Sequence, residues 1–556
     1  MQVFQSLKGK IMVGVIAIAA IGSISLTNIS FFDINKNLDV FGSLYKELNT
    51  LYVDTLDHES LVRSGIESML NQIDPYTNYI AEEDAEDYRL QTTGKYAGIG
   101  ALIGNRDEYV IITEPYEGFP AAKGGLRAGD RVIEVDGKGV RAYKTDDVSK
   151  LLKGKPGTEV LLKIKRLNAE GKEDELTVKL QREEIKIRNV SYYGLVDSSI
   201  AYIRLTNFTM RAGQEVRSAL QEMAKAKKLK GIVLDVRGNP GGLLDEAINT
   251  ANVFVDRNTE IVSVKGRSKE DTYARKTFAD AVDTQLPMVV LADGNSASAA
   301  EIVAGSLQDL DRAVVIGQRT FGKGLVQTTK PLPYNTKVKI TTAKYYIPSG
   351  RCIQAINYAE RDSTGRVTRV PDSLRTAFKT KAGRVVYDGA GIEPDIKTEP
   401  EKIHNLTITL YARNYIFDYA TEYRAKHSSI PAAKDFRLTD AEYNDFVKWV
   451  SSKEHNYTTR SEKILEGFKA ATQQENYYDN IQAEFDSLHQ KILYDKKQDL
   501  FKQKKQIQMF LEEEIASRYY LNTGRSEVQN HYDTDLRKAV EVINTPSRVV
   551  QILNKQ

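Results

Sequence analysis

The spacing of apolar and polar residues divides the chain into segments with different predicted structures. Residues 36–90 repeat apolar positions every three or four residues, as in "NLDVFGSLYKELNTLYV", which predicts amphipathic helices. Residues 95–182 change to short β-rich runs broken by glycine turns, and this pattern predicts strands. Residues 185–400 alternate short apolar runs with helical segments, which is typical of an α/β sheet. From about residue 401 the chain becomes polar, tyrosine-rich and helical.

The most extended helix-forming stretch runs from residue 478 to 520 and reads "YDNIQAEFDSLHQKILYDKKQDLFKQKKQIQMFLEEEIASRYY". It is rich in Lys, Gln and Glu, and it ends near "NTGR". Its runs of charge are typical of solvent-exposed helix faces.

Three apolar runs in the α/β segment each end in a polar or glycine-bearing loop. The runs "GIVLDV", "MVVLAD" and "AVVIG" precede the loops "RGNPGG", "DGNSAS" and "QRTFGKG". Ligand sites in α/β sheets lie where such loops leave the carboxyl ends of the strands. We therefore expect a functional site where these three loops meet.

The bulk composition sets broad limits on function. The chain has 556 residues, of which 41% are hydrophobic and 28% charged, so several domains with ordinary cores are expected. The net charge is only +3, and no basic patch with interleaved aromatic residues is present. The sequence therefore lacks the strong positive charge that is typical of nucleic-acid-binding surfaces, and no nucleic-acid partner is expected.

The N-terminal segment predicts export. Lys8 and Lys10 precede 16 mostly apolar residues, 11–26. A short basic stretch followed by such a run is typical of a secretory signal or an N-terminal membrane anchor. We expect the rest of the chain to work in the periplasm or cell envelope, with anchoring to the inner membrane if the segment is retained.

The distribution of histidine limits the available chemistry. No histidine lies between residues 59 and 403, so a Ser-His-Asp site built from this part is excluded. A zinc site made of histidine and cysteine is excluded in the same way, because the chain has one cysteine. The histidine and cysteine counts leave a metal site made only of carboxylates open, but no loop has calcium-type ligand spacing. We expect no metal and no cofactor.

Ser298 has two interpretations. It lies in "DGNSASAAEIVAG" (293–305), after an apolar run and at the start of a helix-like pattern. Together with Glu301 it forms the sequence of a capping box, which favours a structural role. As a nucleophile it would need a base other than histidine.

Lys323 is the candidate base. Burial disfavours the charged form of a lysine and lowers its pKa, which makes the amine able to accept a proton. Gly322 and Gly324 allow the backbone to turn tightly there, although a lysine between glycines is also common in exposed loops. Gln327 lies four residues on, and on a regular strand this spacing puts two side chains on one face. Its amide could then orient the amine.

Backbone amides could stabilise a developing negative charge beside Ser298. A helix N-terminus is electropositive, and the amide of the residue after the serine can donate to an oxyanion. The loop "RGNPGG" offers further glycine amides at another strand end. A serine, a base and amide donors would thus come from three loops of one sheet.

At these motifs the chain resembles the C-terminal processing peptidases, also called tail-specific proteases. The segments that carry the resemblance are "LDVRGNPGG" (234–242), "NSASAAEIVAGSLQD" (295–309) and "GQRTFGKGLVQ" (317–327). "GIEPDI" (391–396) also fits, and the resemblance covers roughly residues 40–400.

The resemblance implies a serine endopeptidase with a Ser–Lys pair. The family spacing selects Ser298 as the nucleophile rather than Ser296 or Ser306. It implies Lys323 as general base and Gln327 as the residue that orients the lysine.

The resemblance also implies the oxyanion donors, namely the amide of Ala299 and that of a glycine in 238–242, of which Gly241 is favoured. The usual pattern reads Ser-Ala-Ser-Ala-Ser-Glu, and this chain has Ala300 in place of the third serine. That departure leaves Ser298 unchanged.

The β-rich segment resembles a PDZ domain of the circularly permuted bacterial type. "YAGIGA" (96–101) is similar to its carboxylate-binding loop, which implies Gly98, Ile99 and Gly100 as peptide-binding residues. Such loops capture a terminal carboxylate while the peptide adds as a strand to the sheet edge. Protein substrates with apolar C-terminal tails are the implied partners, and tail binding is implied to gate activity. The helical extension implies a possible homodimer.

The resemblance implies an α+β multidomain fold. It consists of a crotonase/ClpP-like α/β protease core with an inserted PDZ domain and flanking helical regions. The expected divisions are a signal peptide or anchor (1–30), an N-terminal helical region (31–94), a PDZ domain (95–182), a serine protease core (183–400) and a C-terminal helical domain (401–556).

Two other functions are compatible with parts of the pattern. A non-catalytic PDZ scaffold would keep the peptide site with a dead core, but the intact Ser298, Lys323 and Gln327 disfavour it. An acyl-CoA enzyme would share the crotonase-like core, but the PDZ segment and the export segment disfavour that alternative.

Overall fold

A computed structural model of the protein describes residues 32–267, 269–361, 364–454 and 456–553. The segment predicted as a signal peptide or anchor, residues 1–30, lies outside the described residues. Within the described part of the chain, no helix is both long enough and apolar enough to span a membrane.

The chain divides into two compact units, Met1–Tyr79 and Ile80–Gln556. The elements before and at this division are α1 (32–51), α2 (His58–Asn71) and β1 (Asn78–Ile80). The turn at "DPYT" (74–77) is held by Asp74, whose Oδ1 accepts hydrogen bonds from the backbone amides of Tyr76 (2.7 Å) and Thr77 (2.8 Å). An aspartate that bonds amides two and three residues on fixes such a turn locally.

The predicted β-rich segment folds as an antiparallel sheet with short helices. Its strands follow the order β3-β4-β5-β7-β8, β6 pairs with β5, and β2 pairs with β9 in a separate ribbon. Strand β3 therefore lies at one edge of the sheet. The elements are α3 (Ala85–Thr93), β2 (Lys95–Gly98), β3 (Ala101–Arg106), β4 (Tyr109–Pro115), α4 (Pro120–Lys123), β5 (Arg131–Val135), β6 (Lys138–Gly139), α5 (Thr145–Leu152), β7 (Glu159–Leu167), β8 (Glu173–Gln181) and β9 (Glu183–Lys186).

The following segment alternates strands and helices, as predicted. Its elements are β10 (Val190–Val196), β11 (Ile200–Leu205), α6 (Ala212–Ala226), β12 (Gly231–Asp235), α7 (Leu244–Ala251), β13 (Glu260–Gly266), β14 (Tyr273–Lys276), β15 (Met288–Ala292), α8 (Ala299–Asp309), β16 (Val314–Gly317), β17 (Leu325–Pro331), β18 (Lys337–Tyr346), β19 (Ile356–Arg361), β20 (Val367–Arg369), η1 (Asp372–Leu374), β21 (Ala377–Lys379), β22 (Val385–Tyr387) and β23 (Ile396–Lys397).

The main sheet of this segment has the order β10-β11-β12-β15-β16-β23. Only the β10–β11 pair is antiparallel, and the other neighbours run parallel. A second, antiparallel sheet joins β17, β18, β13 and β14, while β19–β20 and β21–β22 form small hairpins.

Both faces of the main sheet are buried. Ile232 and Leu234 belong to the apolar cluster that includes α6, α7 and α8, whereas Val233 between them belongs to a cluster on the opposite face. Successive strand residues point to opposite faces, so a sheet covered on both sides needs a continuous apolar strand. This requirement explains the uninterrupted run "GIVLD".

The rest of the chain is helical. Its elements are α9 (Asn405–Ala412), α10 (Tyr415–Lys426), η2 (Ala433–Asp435), α11 (Asp440–Ser451), α12 (Arg460–Gln474), α13 (Tyr478–Lys496), α14 (Asp499–Lys502), α15 (Lys504–Tyr532), α16 (Thr534–Ile543) and α17 (Pro546–Leu553).

The helix-forming stretch 478–520 is not one helix. It breaks into α13, α14 and the start of α15, and the short helix α14 places Leu500 in the C-terminal apolar cluster. Helix α15 also continues past "NTGR" to Tyr532, with a kink at Leu521 (φ 52°, ψ −147°). Packing thus places the breaks where the local pattern had none.

The last two helices cover the second face of the main sheet. Leu536, Ala539 and Val542 of α16 and Val549 of α17 share an apolar cluster with residues of the main sheet, including Val233. These helices lie within 401–556, which the sequence predicts as a separate helical domain. Part of that segment therefore completes the apolar core of the α/β segment.

Candidate active site

The three loops predicted to carry the site do meet at one edge of the main sheet. Strands β12, β15 and β16 are parallel neighbours, so their carboxyl ends face the same way. The Ala297 amide donates to the Asn239 carbonyl (2.9 Å), and the Phe321 amide donates to the Ser296 carbonyl (3.1 Å). These bonds join the loop after β12 to that after β15, and the loop after β15 to that after β16.

Ser298 stands at the N-cap of α8 with a strained backbone. Its φ of 55° and ψ of −113° are unusual for a residue with a side chain. The other two candidate serines are fully buried, and the structure gives their hydroxyls partners. Ser296 Oγ donates to the Val236 carbonyl (2.8 Å), and Ser306 Oγ donates to the Val303 carbonyl of its own helix (3.3 Å). Ser298 is only half-buried.

Lys323 is half-buried between two glycines that the packing requires. A Cβ at Gly322, which has φ +89°, would come within 2.4 Å of the Ala355 Cβ. A Cβ at Gly324 would lie 2.9 Å from the Gln354 amide nitrogen. The loop can pass through this narrow space only because both flanking residues lack a side chain.

Glu301 joins the serine loop to the lysine loop. Its carboxylate is fully buried and accepts four hydrogen bonds. Oε2 accepts from the backbone amides of Ser298 (2.8 Å) and Lys323 (2.9 Å). Oε1 accepts from the Gly322 amide (2.7 Å) and the Thr320 hydroxyl (2.5 Å). One side chain therefore fixes the backbone at both predicted catalytic residues.

The charge state of Glu301 is sensitive near neutral pH. Burial raises the pKa of this carboxyl to about 7, and the four hydrogen bonds oppose that rise.

The sequence indicates only that Glu301 belongs to a capping box. Three of its four hydrogen-bond donors lie 19 to 22 residues further along the chain, and no local pattern shows them.

Tyr345 provides a second link between the same two loops. Its hydroxyl donates a hydrogen bond to the Lys323 carbonyl oxygen (2.7 Å), and the Ser298 carbonyl oxygen lies 3.2 Å from the same hydroxyl. The ring is buried, and burial raises the pKa of the phenol well above its usual value. Nothing in the sequence singles out this tyrosine of β18.

Gln327 does not follow the regular strand spacing that was expected. Lys323 precedes β17, and the β17–β18 register shifts between Val326 and Gln327. Lys323 and Gln327 therefore do not lie on one regular strand, and the predicted four-residue spacing on one face is wrong. Gln327 Nε2 donates to Thr341 Oγ1 (3.2 Å), which holds the amide against β18.

Gly241 packs directly against Ser298. A Cβ there would lie 2.8 Å from the Ser298 Cβ and 3.0 Å from the Ala299 amide nitrogen. Its own amide, however, donates to Asn239 Oδ1 (2.9 Å). Asn239 is buried and also donates from Nδ2 to the Leu205 carbonyl (2.8 Å), so it fixes this loop from inside. Nothing in the motif "RGNPGG" indicates this role of Asn239.

The predicted peptide-binding residues are buried at the end of β2 and in the two-residue connection to β3. Gly98 ends β2, and the Ile99 carbonyl accepts a hydrogen bond from the Ala121 amide (2.8 Å). Gly100 has φ +74°, and a Cβ there would lie 2.5 Å from the Phe119 Cβ. The loop therefore needs glycine, and it leads directly into the edge strand β3.

A metal site finds no support in the described part of the chain. No group of three or more His, Cys, Asp or Glu side chains is arranged there to hold an ion.

Three family models match separate parts of the chain. The model for peptidase family S41 matches residues 199–361, and a PDZ domain model matches residues 111–166. A model described as the C-terminal helical domain of a probable PDZ-protease matches residues 406–543.

Named relatives match over longer stretches. The chain is 38% identical over 324 residues to the carboxy-terminal-processing protease of Bartonella bacilliformis, covering 58% of this chain and 73% of that protein. It is 29% identical over 488 residues to a probable CtpA-like serine protease of Staphylococcus aureus, covering 84% of each chain. The solved photosystem II D1 C-terminal processing protease is 27% identical, with a TM-score of 0.35 over 65% of this chain and 87% of that one.

Proposed function

Because the chain belongs to the carboxy-terminal-processing serine proteases of peptidase family S41 and carries a PDZ domain, we propose that Ser298 is its nucleophile and Lys323 its general base. Gln327 completes the site by orienting the lysine. The chemistry is peptide-bond hydrolysis through an acyl-enzyme.

The proposed steps need only this chain, the substrate and water. Ser298 Oγ attacks the carbonyl carbon of the scissile bond while Lys323 Nζ takes the hydroxyl proton. The tetrahedral intermediate collapses as the lysine gives that proton to the leaving amine, which leaves the acyl group on Ser298. Water then attacks the ester carbonyl while the same lysine takes a proton from it. The lysine gives that proton to Ser298 Oγ as the acid product leaves, which restores the serine and the neutral amine.

The observation that carries this proposal is the shared carboxylate of Glu301. One oxygen of this carboxylate accepts hydrogen bonds from the backbone amides of both Ser298 and Lys323. These bonds fix the two backbone segments that carry the nucleophile and the base. Catalytic groups need such fixed placement, because small displacements of reacting atoms cost large factors in rate.

Gln327 is proposed to act through its amide oxygen. Thr341 binds the amide nitrogen of this side chain, so the orientation of the amide is set from β18. A lysine amine is a donor, and an amide oxygen is its natural acceptor. Gln327 therefore positions Lys323 without taking part in proton transfer.

The oxyanion donors are proposed to be the amides of Ala299 and Gly241. Ala299 is the first residue of α8, and the first amides of a helix have no acceptor within the helix. Gly241 is in contact with Ser298, but its amide is paired with Asn239. Its use as a donor requires the Asn239 side chain to turn away when substrate binds.

The PDZ domain binds peptide segments of protein substrates, and we propose that it recognises a free C-terminal carboxylate. The amides of Gly98, Ile99 and Gly100 would hold the carboxylate, and the tail would extend β3, which lies at the sheet edge. An apolar tail suits this mode, and its binding would gate cleavage at Ser298.

The parallel main sheet with helices on both faces supports a crotonase/ClpP-like core. The basic and apolar segment 8–26 supports export to the periplasm or cell envelope, with residues 1–30 as a signal peptide or inner-membrane anchor. A homodimer formed through the helical extension is part of the same proposal.

Cleavage of a model protein ending in an apolar tail tests the assignment of Ser298. Ser298→Ala should abolish cleavage and labelling by a serine-reactive fluorophosphonate, while the melting temperature stays close to that of the wild type. Ser306→Ala is the matched control, since it removes a hydroxyl from the same helix. Cleavage by Ser298→Ala at more than a tenth of the wild-type rate would overturn the assignment. If the wild-type protein binds the tail but cleaves no substrate, the non-catalytic scaffold is favoured.

A further inference from the structure

Arg237 lies between carboxylates from two distant parts of the chain. On one side, Nε and Nη2 donate to Asp235 at the end of β12 (3.0 and 2.6 Å). On the other side, Nη1 donates to Asp533 Oδ1 (3.1 Å) and Nη2 donates to Asp533 Oδ2. Nη1 also lies 3.4 Å from Asp535 Oδ2. A planar guanidinium suits this double fork, which a lysine could not reproduce.

The pairing is largely shielded from water. Asp235 is 1% exposed, and it also accepts a hydrogen bond from the Tyr202 hydroxyl (2.8 Å). The Arg237 side chain is 20% exposed. Charge-assisted hydrogen bonds in such a setting are stronger and more directional than exposed ion pairs. The guanidinium is therefore a fixed point between β12 and the C-terminal helices.

Arg237 also lies near the start of the loop that follows β12 and packs on Ser298. The next residue, Gly238, donates its amide to Asp293 Oδ1 (3.0 Å), and Asn239 accepts from the Ala297 amide. Gly241, in contact with Ser298, is only four residues beyond the guanidinium. A shift of Arg237 would therefore be transmitted to the loop that borders the nucleophile.

The C-terminal side of the fork is anchored to the main sheet. Asp533 is the N-cap of α16, and its Oδ1 accepts the Leu536 amide (2.9 Å). Helix α16 packs its apolar face against β12, β15 and β16. The carboxylate that holds Arg237 is thus part of a helix that cannot move without uncovering the sheet.

We propose that Arg237 is a positioning residue through which Asp533 and Asp535 hold the loop 238–242 against Ser298. The C-terminal helical segment thereby acts on the active site of the protease as well as on its stability. This inference rests on the proposed function, since it assumes that Ser298 is the nucleophile.

Asp533→Asn is the variant that tests the link. Asparagine caps a helix as well as aspartate does, so α16 keeps its N-cap while the charge facing Arg237 is removed. The double variant Asp533→Asn/Asp535→Asn removes both of the C-terminal carboxylate charges that face Arg237. Glu541→Gln is the control, because Glu541 lies on the same helix, α16, and its exposed ion pairs are with Lys538 of α16 and Arg548 of α17.

Two measurements on the full chain separate positioning from stability. Hydrogen exchange of the segment 236–243, followed by mass spectrometry, should be at least fivefold faster in Asp533→Asn, with exchange in β12 unchanged. The kcat for a model protein with an apolar tail should fall at least fivefold while KM stays within twofold. The double variant should show a larger effect on both, and the control should match the wild type.

Unchanged exchange in 236–243 would overturn the link, whatever the activity. A kcat loss shared by Glu541→Gln, or one that follows only a fall in melting temperature, would also overturn it. If the wild type cleaves no substrate, the proposed function fails, and the exchange comparison still decides whether Asp533 holds the loop.

Discussion

Ser298 and Lys323 donate their backbone amides to the same atom, Oε2 of Glu301, over 2.8 and 2.9 Å. The two residues belong to loops that leave different strands, so no local interaction could set the distance between them. A buried carboxylate with four donors does so with a single side chain. The spacing of the proposed nucleophile and base is therefore built into the core and does not depend on substrate.

Glu301→Gln should impair catalysis more than binding. Glutamine keeps one acceptor oxygen and replaces the other with an NH₂ donor, so two of the four donors lose their acceptor. Each unsatisfied buried donor costs about 1–3 kcal/mol. We expect a lower melting temperature and a kcat reduced at least tenfold, with KM within threefold, in steady-state kinetics.

Glu393→Gln is the control for that substitution, because it neutralises a carboxylate that pairs with Arg319 at a more exposed position. It should stay within twofold of the wild type. A Glu301→Gln enzyme that keeps more than half of the wild-type kcat would contradict the role given to the shared carboxylate.

Stability should depend on pH through Glu513. Burial raises the pKa of this carboxyl to about 7, with Glu514 adding to the rise and Gln529, Arg525 and Arg204 opposing it. The folded protein therefore holds a proton that the unfolded chain releases near pH 4.5. The stabilisation is full below that pH and is lost as pH rises through 7.

Glu513→Gln removes this titration with little change in shape. Thermal melts should show the variant and the wild type close together at pH 5, and the variant more stable at pH 8 by roughly 2–3 kcal/mol. A melting-temperature difference that does not change between pH 5 and pH 8 would show that the carboxyl titrates normally.

Amidation of the substrate tail should reduce cleavage efficiency. The change removes the negative charge that the amides of Gly98, Ile99 and Gly100 are proposed to bind. Loss of a charge-assisted hydrogen bond of about 1.5–3 kcal/mol corresponds to roughly a tenfold or greater fall in kcat/KM. Acetylation of the substrate N-terminus is the control and should have no effect. Equal kcat/KM for the acid and amide forms would rule out carboxylate recognition.

Leu536→Ala should destabilise the protease core, although Leu536 lies far from that core in sequence. The side chain is 3% exposed and belongs to the cluster that covers the second face of the main sheet. Truncation of a buried leucine costs about 2–5 kcal/mol. Val550→Ala on α17, where the side chain is 56% exposed, should change the melting temperature little. Equal melting temperatures for both variants would mean that α16 is not part of the core.

The alternation of strands and helices in 185–400 could be predicted because a parallel sheet buried on both faces needs continuous apolar strands. The meeting of the three loops followed from the common direction of those strands. The helices that cover the second face could not be assigned, since an amphipathic pattern does not say which surface it covers.

The loops that carry the proposed catalytic residues could be predicted from the sequence. The buried side chains that hold those loops in place could not. Glu301 and Tyr345 act through contacts between loops, which no local pattern records. The geometry of Gln327 was misjudged because a register shift interrupts β17. Asn239 pairs the Gly241 amide in a way that motif spacing could not reveal.

The activity of Lys323→Arg, measured beside Lys323→Ala on the same tailed substrate, tests the Ser298–Lys323 mechanism most directly. Arginine keeps the positive charge but cannot give up its proton in a protein, so it cannot act as a base. General base catalysis contributes about 10²–10⁴ in rate, and we expect both folded variants to lose activity by a similar factor in that range or more. A folded Lys323→Arg enzyme that cleaves at close to the wild-type rate, while Lys323→Ala does not, would show that the lysine supplies only charge and would contradict its role as base.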